Sequence, residues 1–590
     1  MSSELEARST AGPALAEIRP EPAASRRSFS RIGLIIATLG VVLSLGARLI
    51  YLGAGPFGGD ERYVVLHALK FGTGNLNPKN FDWPASSFYY LTFLVDGFFF
   101  AGGFLAGCFR SPTDFVLGYL SNPRAYYLIP RLLSASFGLG TVILLIRATG
   151  RMVDRPTGLL AGLLLLMVPL HVQTSRAGLA DVPMTFFAIA SLGISLRIAT
   201  SAEARRRDYL LAGIMVGLAG SMKYHGVLSA SYVISADLYR EFPRLGWRAV
   251  VGLPVRRSLL AAAGMSILAF VATTPFAVLD YPTFFADLRF QLEHQRGIVE
   301  HIGIAEPPSP FLELFRSTLP EVVGLPIVLL GFAGGVLALV DRRLGLAGSM
   351  LIPSVVLGLA AFLMSRVRFT HYLLPITPCL CALAAITIRS IAGRLASTEP
   401  RRSLISGLAL GLILVLTIPF QVKTALALGL PHTGSATMAW VLEQFKPGTK
   451  FAMDDEEDLN FLPTVASLDR SIAEAKAAGF SGRVDYYSNL RKMIERDRNH
   501  PHYDLYRLHA SDRSGDYLRY LQDQDVRYFI RSGSVVSMFR RNRPSPTTEE
   551  RLRFYKELES RAKLIATIEG DNQKLRGRSF EVFELPAGDR

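Results

Sequence analysis

The chain has 590 residues, of which 50% are hydrophobic, and its formal net charge is +15 at pH 7. Soluble globular proteins rarely have this composition, because long apolar stretches would have no core to fill. The basic residues stand in short clusters between apolar runs rather than in one domain, which argues against a nucleic-acid-binding protein and is typical of the cytoplasmic loops of membrane proteins.

The apolar runs predict about eleven transmembrane helices, because each is close to the roughly 20 residues that a helix needs to cross a bilayer. Residues 1–30, rich in Ala, Ser, Pro, Glu and Arg, are predicted to be a disordered cytoplasmic tail. A transmembrane domain follows over residues 31–422. Its predicted spans are 31–53, 126–148, 156–171, 181–198, 208–223, 225–239, 258–278, 320–340, 345–364, 371–391 and 403–422.

Arginine clusters predict the orientation of these helices. With the N-terminus inside, every loop predicted to be cytoplasmic is basic, as the positive-inside rule requires. An odd number of spans then places the C-terminal region outside. We therefore expect a multi-pass protein of the plasma (inner) membrane. Its long outer loops are 54–125 and 279–319, and the aromatic, Gly and Pro content of 54–125 predicts ordered short helices along the membrane surface.

Residues 432–590 differ in composition and predict a separate extracytoplasmic α/β domain. Predicted strands are Thr449–Met453, Val526–Ile530, Lys563–Ile568 and Phe580–Leu585, and predicted helices are Ala436–Phe445 and Thr548–Ala562. The acidic run Asp454–Asp458 is interpreted as a solvated loop, with cation binding as the alternative. Cys108, Cys379 and Cys381 have neither disulfide-framework nor metal-site spacing and are interpreted as small apolar residues.

Two acidic positions lie at predicted outer helix ends. Asp60 and Glu61 follow a Gly-rich stretch just past the first span, and Asp181 begins the fourth. Either position has a structural explanation, since acidic residues cap helices and favour the positive end of the helix dipole. The alternative is a catalytic site, because ionisable residues at membrane helix ends often belong to one.

Cations and aromatic residues are predicted on the same side. Arg366 and Arg368 lie outside, against the charge bias, with His371 and Tyr372 beside them. An arginine fork suits a phosphate, so we interpret this segment as a lipid-phosphate site, with pairing to headgroups or loop carboxylates as the alternative. Lys223, at an outer turn, is either a second phosphate contact or a lysine that reaches the interface.

Carboxylates and cations that converge on one membrane face suit the transfer of a group from a lipid phosphate. The carboxylates could deprotonate an acceptor or hold a cation, and the arginines could bind the phosphate leaving group. The sequence has no His or Cys spacing of a tight zinc site, no nucleotide-binding phosphate loop and no Gly-x-Ser-x-Gly elbow.

The chain resembles the GT-C membrane glycosyltransferases, the group that includes protein O-mannosyltransferases and the lipid A aminoarabinose transferase. The resemblance spans nearly the whole chain through short motifs in a recognisable order. They are Gly59–Tyr63, Asn77–Pro84 followed by Tyr89–Leu91, Ser175–Asp181, Lys223–Gly226, Arg368–Pro375 and Thr437–Gly448. Departures from the family pattern are Arg62, where many relatives have a small residue, and the Phe-Thr-His insertion between Arg368 and Tyr372.

The resemblance implies a sugar donor linked to a polyprenyl phosphate and an inverting displacement, with a carboxylate that activates the acceptor hydroxyl. It implies residue roles as well. The catalytic group is Asp60, Glu61 and Asp181; the donor-phosphate group is Arg366, Arg368, Lys223, His371 and Tyr372; and the acceptor or loop group is Tyr63, Trp83 and Arg176. A divalent cation stays open, with the three carboxylates as its candidate ligands, and no other cofactor is expected. The sugar and the acceptor, whether glycan, lipid or protein, are not specified.

Two other functions fit the composition. A lipid-linked-sugar transporter or binding protein without catalysis would be expected to show internal repeats and polar residues near the bilayer midplane, and neither is evident. An assembly protein whose outer domain acts alone would tolerate loss of Asp60, Asp181 and Arg368.

Overall fold

The structure is a computed structural model that describes residues 31–55, 57–81, 86–297, 309–454, 459–477, 479, 481–508, 515–541, 546–571 and 573–587. The predicted tail over residues 1–30 lies outside the described residues. Up to residue 427 the described chain is helical. Its α-helices are α1 (Arg31–Leu49), α2 (Gly59–Phe71), α3 (Ser86–Leu105), α4 (Pro112–Ser121), α5 (Arg124–Met152), α6 (Arg155–Met167), α7 (Pro169–Thr174), α8 (Asp181–Thr200), α9 (Arg206–Met222), α10 (Ala230–Leu245), α11 (Trp247–Val251), α12 (Arg257–Thr273), α13 (Phe276–Leu279), α14 (Tyr281–Gln295), α15 (Pro310–Glu313), α16 (Leu325–Val340), α17 (Gly345–Met364), α18 (Thr377–Leu395) and α19 (Glu399–Ala427). Shorter 3₁₀ or π segments are Tyr224–Ser229, Leu253–Val255, Leu314–Thr318, Pro320–Gly324, Arg342–Leu344 and Thr370–Ile376.

Helices occupy all eleven positions that were predicted to span the membrane. The segment 156–171 is broken between α6 and α7, because Pro169 has no N–H for the helix ladder. The segment 320–340 begins earlier than predicted, at Pro310. By length and composition, seven helical segments could cross a membrane: Ser86–Leu105, Arg124–Met152, Asp181–Thr200, Pro310–Val340, Arg342–Met364, Thr370–Leu395 and Glu399–Thr424. Two shorter apolar helices are Arg155–Met167 and Arg257–Thr273. The chain is therefore a polytopic helical membrane protein.

Helix α3 lies in the first long loop, where only short helices were predicted. Both of its ends contact the same face of the bundle. Near its start, Ser87 is hydrogen-bonded to Ser221 at the end of α9, and near its end Phe99 packs edge-on against Tyr126 at the start of α5. The end of α9 and the start of α5 lie on the face that carries α2, which we call the α2 face. Helix α3 therefore runs along this face, despite a length and hydropathy that would also suit a span.

Close packing of α9 on α12 depends on two glycines. A Cβ atom at Gly213 would clash with the carbonyl oxygen of Ala262, and one at Gly217 with that of Ser266. Small residues one turn apart let two membrane helices approach to backbone contact. The pair therefore fixes α9, whose last residues lead directly into Lys223.

Gly217→Leu is expected to separate α9 from α12 and to lower the free energy of unfolding by about 1–3 kcal/mol or more, because the added side chain meets backbone that cannot move aside. Thermal unfolding in detergent measures the effect. The matched control is Gly193→Leu in α8, since a Cβ there meets no atom within 4 Å. Equal melting temperatures for the two variants would contradict the packing argument.

The C-terminal domain is built on a five-stranded sheet in the order β2-β1-β3-β5-β4. Its strands are β1 (Lys450–Asp454), β2 (Asp504–Leu508), β3 (Tyr528–Ser532), β4 (Lys563–Ile568) and β5 (Phe580–Glu584). Its helices are α20 (Thr433–Gln444), α21 (Val465–Ala477), α22 (Ser481–Arg496), α23 (Tyr517–Asp523), α24 (Gly533–Arg541) and α25 (Pro546–Arg561). Strand β1 is parallel to β2 and β3, whereas β5 is antiparallel to β3 and β4. Side chains from both faces of this sheet form the domain core.

The interpretation of Asp454 as part of a solvated loop is wrong. Asp454 is fully buried at the end of β1, where its carboxylate accepts hydrogen bonds from Tyr555 Oη at 2.7 Å and from the Ser532 amide at 2.9 Å. Arg551, also fully buried, lies at 3.4 Å. Asp454 therefore joins β1, β3 and α25 inside the domain, while residues 455–458 lie outside the described part of the chain.

Candidate active site

The site is organised by α2, whose first turn carries Asp60 and Glu61. The helix begins at Gly59, after Gly58, so Asp60 is not the capping residue that one interpretation required. Gly59 has φ +60°, a conformation that favours glycine. Successive residues of a helix point about 100° apart, so the two carboxylates face different surroundings.

Glu61 is held by an ion pair. Arg131 Nε donates to its two oxygens at 2.9 and 3.1 Å, Arg131 Nη2 lies at 2.5 Å, and the Gly178 amide donates a further bond at 2.5 Å. Both side chains are largely buried. Glu61 thus connects α2 to α5 and to the loop before α8, and its carboxylate is already saturated with donors.

Asp60 is exposed and lines a cavity of about 720 Å³, which we call the Asp60 cavity. The part of the cavity lining near the α2 face is polar and includes Lys223, His225, His371 and Tyr372. Its remaining wall is largely apolar and includes Met184, Ala188, Leu228, Phe362, Met364, Pro375 and Ile376. A polar mouth that continues into an apolar wall suits a ligand with a charged head and a hydrocarbon chain.

Asp181 and Lys223 were predicted to have separate roles, but the structure pairs them with each other. Lys223 Nζ lies 2.7 Å from Asp181 Oδ1, with both side chains mostly buried. Lys223 also lies 5.9 Å from the centre of the Tyr372 ring. Tyr372 in turn accepts a hydrogen bond from Gln295 Nε2 at 3.0 Å, and its ring lies edge-on to that of His371. Asp181 therefore positions the lysine at the cavity wall.

Arg366 and Arg368 are not among the residues that line the Asp60 cavity. Arg366 is exposed, and its amide donates to the carbonyl oxygen of Gln295 at 3.0 Å. The Arg368 guanidinium is partly buried, where Nη2 donates to the Leu363 carbonyl at 3.4 Å. Arg296, which was not singled out from the sequence, does line the cavity and is exposed.

The residues predicted for acceptor or loop contacts are separated. Arg176 donates to the carbonyl oxygens of Ala47 and Ile50, the latter at 2.6 Å, so it neutralises the C-terminal end of α1. Tyr63 faces the C-terminal domain, with its ring 5.8 Å from that of Tyr486, and burial raises its pKa. Trp83 lies outside the described residues.

The segment after α2 is tied to the second long loop through Asp280. Lys79 Nζ lies 2.6 Å from Asp280 Oδ2, and Asn77 Nδ2 donates to the same oxygen at 2.7 Å. Partial burial opposes ionisation of Asp280, but the bonds from Lys79, Asn77 and Thr283 outweigh it and lower its pKa. This contact holds the Asn77–Phe81 segment beside Tyr224, whose hydroxyl donates to the Phe81 carbonyl at 2.7 Å.

A metal centre of the three candidate carboxylates does not fit this arrangement. Glu61 is neutralised by Arg131 and Asp181 by Lys223, so each already has a cationic partner. Across the described residues no group of three or more His, Cys, Asp or Glu side chains has the geometry of a metal site.

Sequence reasoning missed Arg131, Gln295 and Arg296. Arg131 had a detectable signal, since it is an arginine inside a predicted apolar span, and such residues usually have a partner or a function. Gln295 and Arg296 meet the cavity only through the folding of the second long loop, for which the local sequence gives no signal.

One family model matches part of the chain. Residues 128–244 match the family model of dolichyl-phosphate-mannose-protein mannosyltransferase. That segment includes Arg131, Arg176, Asp181 and Lys223. No curated protein sequence matches the chain.

Solved structures match almost the whole chain. ArnT from Cupriavidus metallidurans bound to undecaprenyl phosphate is similar over 95% of this chain and 100% of its own, with 12% identity and a TM-score of 0.53. The structure of ArnT in its apo state is similar over 94% of this chain and 99% of its own, with 14% identity and a TM-score of 0.50. The fold is that of the GT-C membrane glycosyltransferases. The predicted fold class is therefore confirmed, and the family model that matches residues 128–244 is that of a glycosyltransferase.

Proposed function

We propose that this GT-C protein transfers a sugar from a polyprenyl phosphate to an acceptor on the outer face of the membrane. The observation that carries the proposal is that Asp60 and Lys223 line one cavity whose remaining wall is largely apolar. A carboxylate and a cation then flank the position of a lipid-linked sugar phosphate. ArnT, which shares the fold, was solved with undecaprenyl phosphate bound.

In the proposed reaction the acceptor hydroxyl oxygen attacks the anomeric carbon of the sugar. The new carbon–oxygen bond forms as the bond from that carbon to the phosphate oxygen breaks, with inversion. Asp60 takes the hydroxyl proton as general base, and the polyprenyl phosphate leaves with the bonding electron pair. Of the candidate carboxylates, Asp60 is chosen because it is the one of the three that lines the Asp60 cavity.

Lys223, His371 and Tyr372 are proposed to hold the phosphate, since all three line the cavity. A charge-assisted bond from the lysine would stabilise the charge that develops on the leaving group. Arg366 and Arg368 contribute only if the phosphate lies at the cavity rim. Tyr63, Trp83 and Arg176 remain candidates for acceptor contacts. The proposed orientation has a cytoplasmic N-terminus and an extracytoplasmic C-terminal domain in a plasma (inner) membrane.

The direct test supplies the purified protein with a panel of polyprenyl-phosphate sugars and follows donor consumption by mass spectrometry. Consumption of one donor supports the proposal and names the sugar. If no donor is consumed but one raises the melting temperature, the cavity binds without turnover, as expected either of a transferase that lacks its acceptor or of a transporter. If no donor is consumed and none shifts the melting temperature, the proposal is wrong.

Lys223→Met, made together with Asp181→Asn so that no buried carboxylate is left without its cation, is expected to weaken donor binding by about 10- to 100-fold, because a hydrogen bond to a charged group is worth about 1.5–3 kcal/mol. Donor titration by thermal shift or fluorescence measures the effect. Arg366→Met is the control, because it removes an exposed cation that does not line the cavity. A larger loss in Arg366→Met than in the double variant would place the phosphate at the rim.

A further inference from the structure

A second cavity, of about 760 Å³, lies between α2, α3, α4 and α22, and we call it the α3 cavity. None of its lining residues belongs to the lining of the Asp60 cavity. Its volume is within the roughly 300–1,000 Å³ of small-molecule sites. It is therefore a separate space on the α2 face, closed on one side by the C-terminal domain.

One wall of the α3 cavity is apolar. Phe93, Phe100, Phe115, Leu69 and Met493 contribute to it. The opposite side of α3 exposes large apolar side chains, with Phe98 71% and Leu105 87% exposed. An exposed apolar face of this kind on a membrane protein suits contact with lipid. The cavity behind it is then adjacent to lipid chains.

Two cations border the cavity on α22. Lys492 and Arg496 both line it, stand one helical turn apart and are exposed. Neither forms an ion pair with a described residue, whereas Lys70 on the opposite wall is paired with Asp485. With Lys70 and Asp485 paired, Lys492 and Arg496 outnumber the one other carboxyl group of the lining, that of Asp96, so the cavity border carries a net positive charge, which suits an anionic group.

Asp96 is a polar residue on the apolar wall formed by α3. It is only 4% exposed, and its Oδ1 atom is buried without a hydrogen-bond partner in the described part of the chain. A buried oxygen without a partner costs free energy that a ligand hydroxyl would recover. Burial also lowers the pKa of neighbouring His67 to about 4, so this histidine adds no positive charge near pH 7.

We propose that the α3 cavity binds an anionic phospholipid that carries headgroup hydroxyls, with its hydrocarbon along α3 and its phosphate against Lys492 and Arg496. A free hydroxyl of the headgroup would donate to Asp96. Basic pockets at a membrane surface recognise anionic headgroups in this way. The proposal is independent of the sugar-transfer reaction.

The decisive variant is Gly97→Leu, because Gly97 lines the cavity and a Cβ there meets no atom within 4 Å. The leucine side chain occupies part of the cavity, and its Cβ displaces no protein atom. Gly102→Leu is the matched control, since Gly102 is on the same helix, is equally unobstructed and is not among the lining residues.

Native mass spectrometry of the full chain, with phosphatidylglycerol or phosphatidylcholine added, measures binding. We expect the wild type and Gly102→Leu to bind phosphatidylglycerol at least tenfold more tightly than phosphatidylcholine. Lys492→Gln/Arg496→Gln should abolish that preference, and Gly97→Leu should lower phosphatidylglycerol binding at least tenfold with an unchanged melting temperature in detergent alone. Equal binding of both lipids by the wild type, or equal phosphatidylglycerol binding by the two glycine variants, would overturn the proposal.

Discussion

Asp60→Asn is expected to reduce sugar transfer by about 10²- to 10⁴-fold while the protein still folds and binds donor. The amide keeps the size and hydrogen-bonding reach of the carboxylate but cannot accept the acceptor proton, and this range is typical for loss of a general base. Each tenfold loss corresponds to about 1.4 kcal/mol of transition-state stabilisation. The rate of donor consumption under single-turnover conditions measures the loss of sugar transfer.

The fold should tolerate this change. Asp60 lies in the first turn of α2 and is exposed, and the loss of its favourable interaction with the helix dipole costs about 0.3–1 kcal/mol. Asp114→Asn is the matched control, because Asp114 is also exposed in the first turn of a helix, α4, and does not line the Asp60 cavity. Equal turnover by wild type and Asp60→Asn would remove Asp60 from the reaction.

The architecture could largely be predicted because it depends on local apolar periodicity. Each of the eleven apolar runs is long enough to fix a helix by itself, and four of the five strands follow from short alternating segments. Strand β2, with the sequence Asp-Leu-Tyr-Arg-Leu, was missed because two of its five residues are charged. Hydropathy also could not show that α3 lies along the α2 face, since it counts apolar residues without showing what the helix ends contact.

The candidate site was predictable as a set of residues but not as a set of pairs. The sequence placed Asp181 and Lys223 on one membrane face and gave them different roles, whereas the structure joins them at 2.7 Å. The sequence analysis treated Asp60 and Glu61 as one acidic motif. The side chains of neighbouring helical residues point in different directions, however, and of these two only Asp60 lines the Asp60 cavity. Such pairings depend on residues more than 40 positions apart, and no local pattern encodes them.

Arg131→Met is expected to destabilise the protein by about 3–5 kcal/mol, because it leaves Glu61 buried without its cation. Arg131 Nη1 also donates to the carbonyl oxygens of Leu52 at 3.0 Å and Ala54 at 2.7 Å, so the variant loses contacts to the end of α1. Equilibrium unfolding in detergent measures the change. Arg147→Met is the matched control, since Arg147 is exposed at the other end of α5. Similar losses of stability in the two variants would contradict a structural ion pair.

The double variant Glu61→Gln/Arg131→Met separates a positioning role of Glu61 from a catalytic one. Removing both charges eliminates the unpaired carboxylate, so part of the lost stability should return. If Glu61 only fixes α2 against α5, the refolded double variant should also regain most of its sugar transfer, because Asp60 keeps its place at the cavity. If stability returns and transfer does not, the Glu61–Arg131 pair takes part in the reaction itself, and Glu61→Gln alone then tests whether the carboxylate is the group that acts.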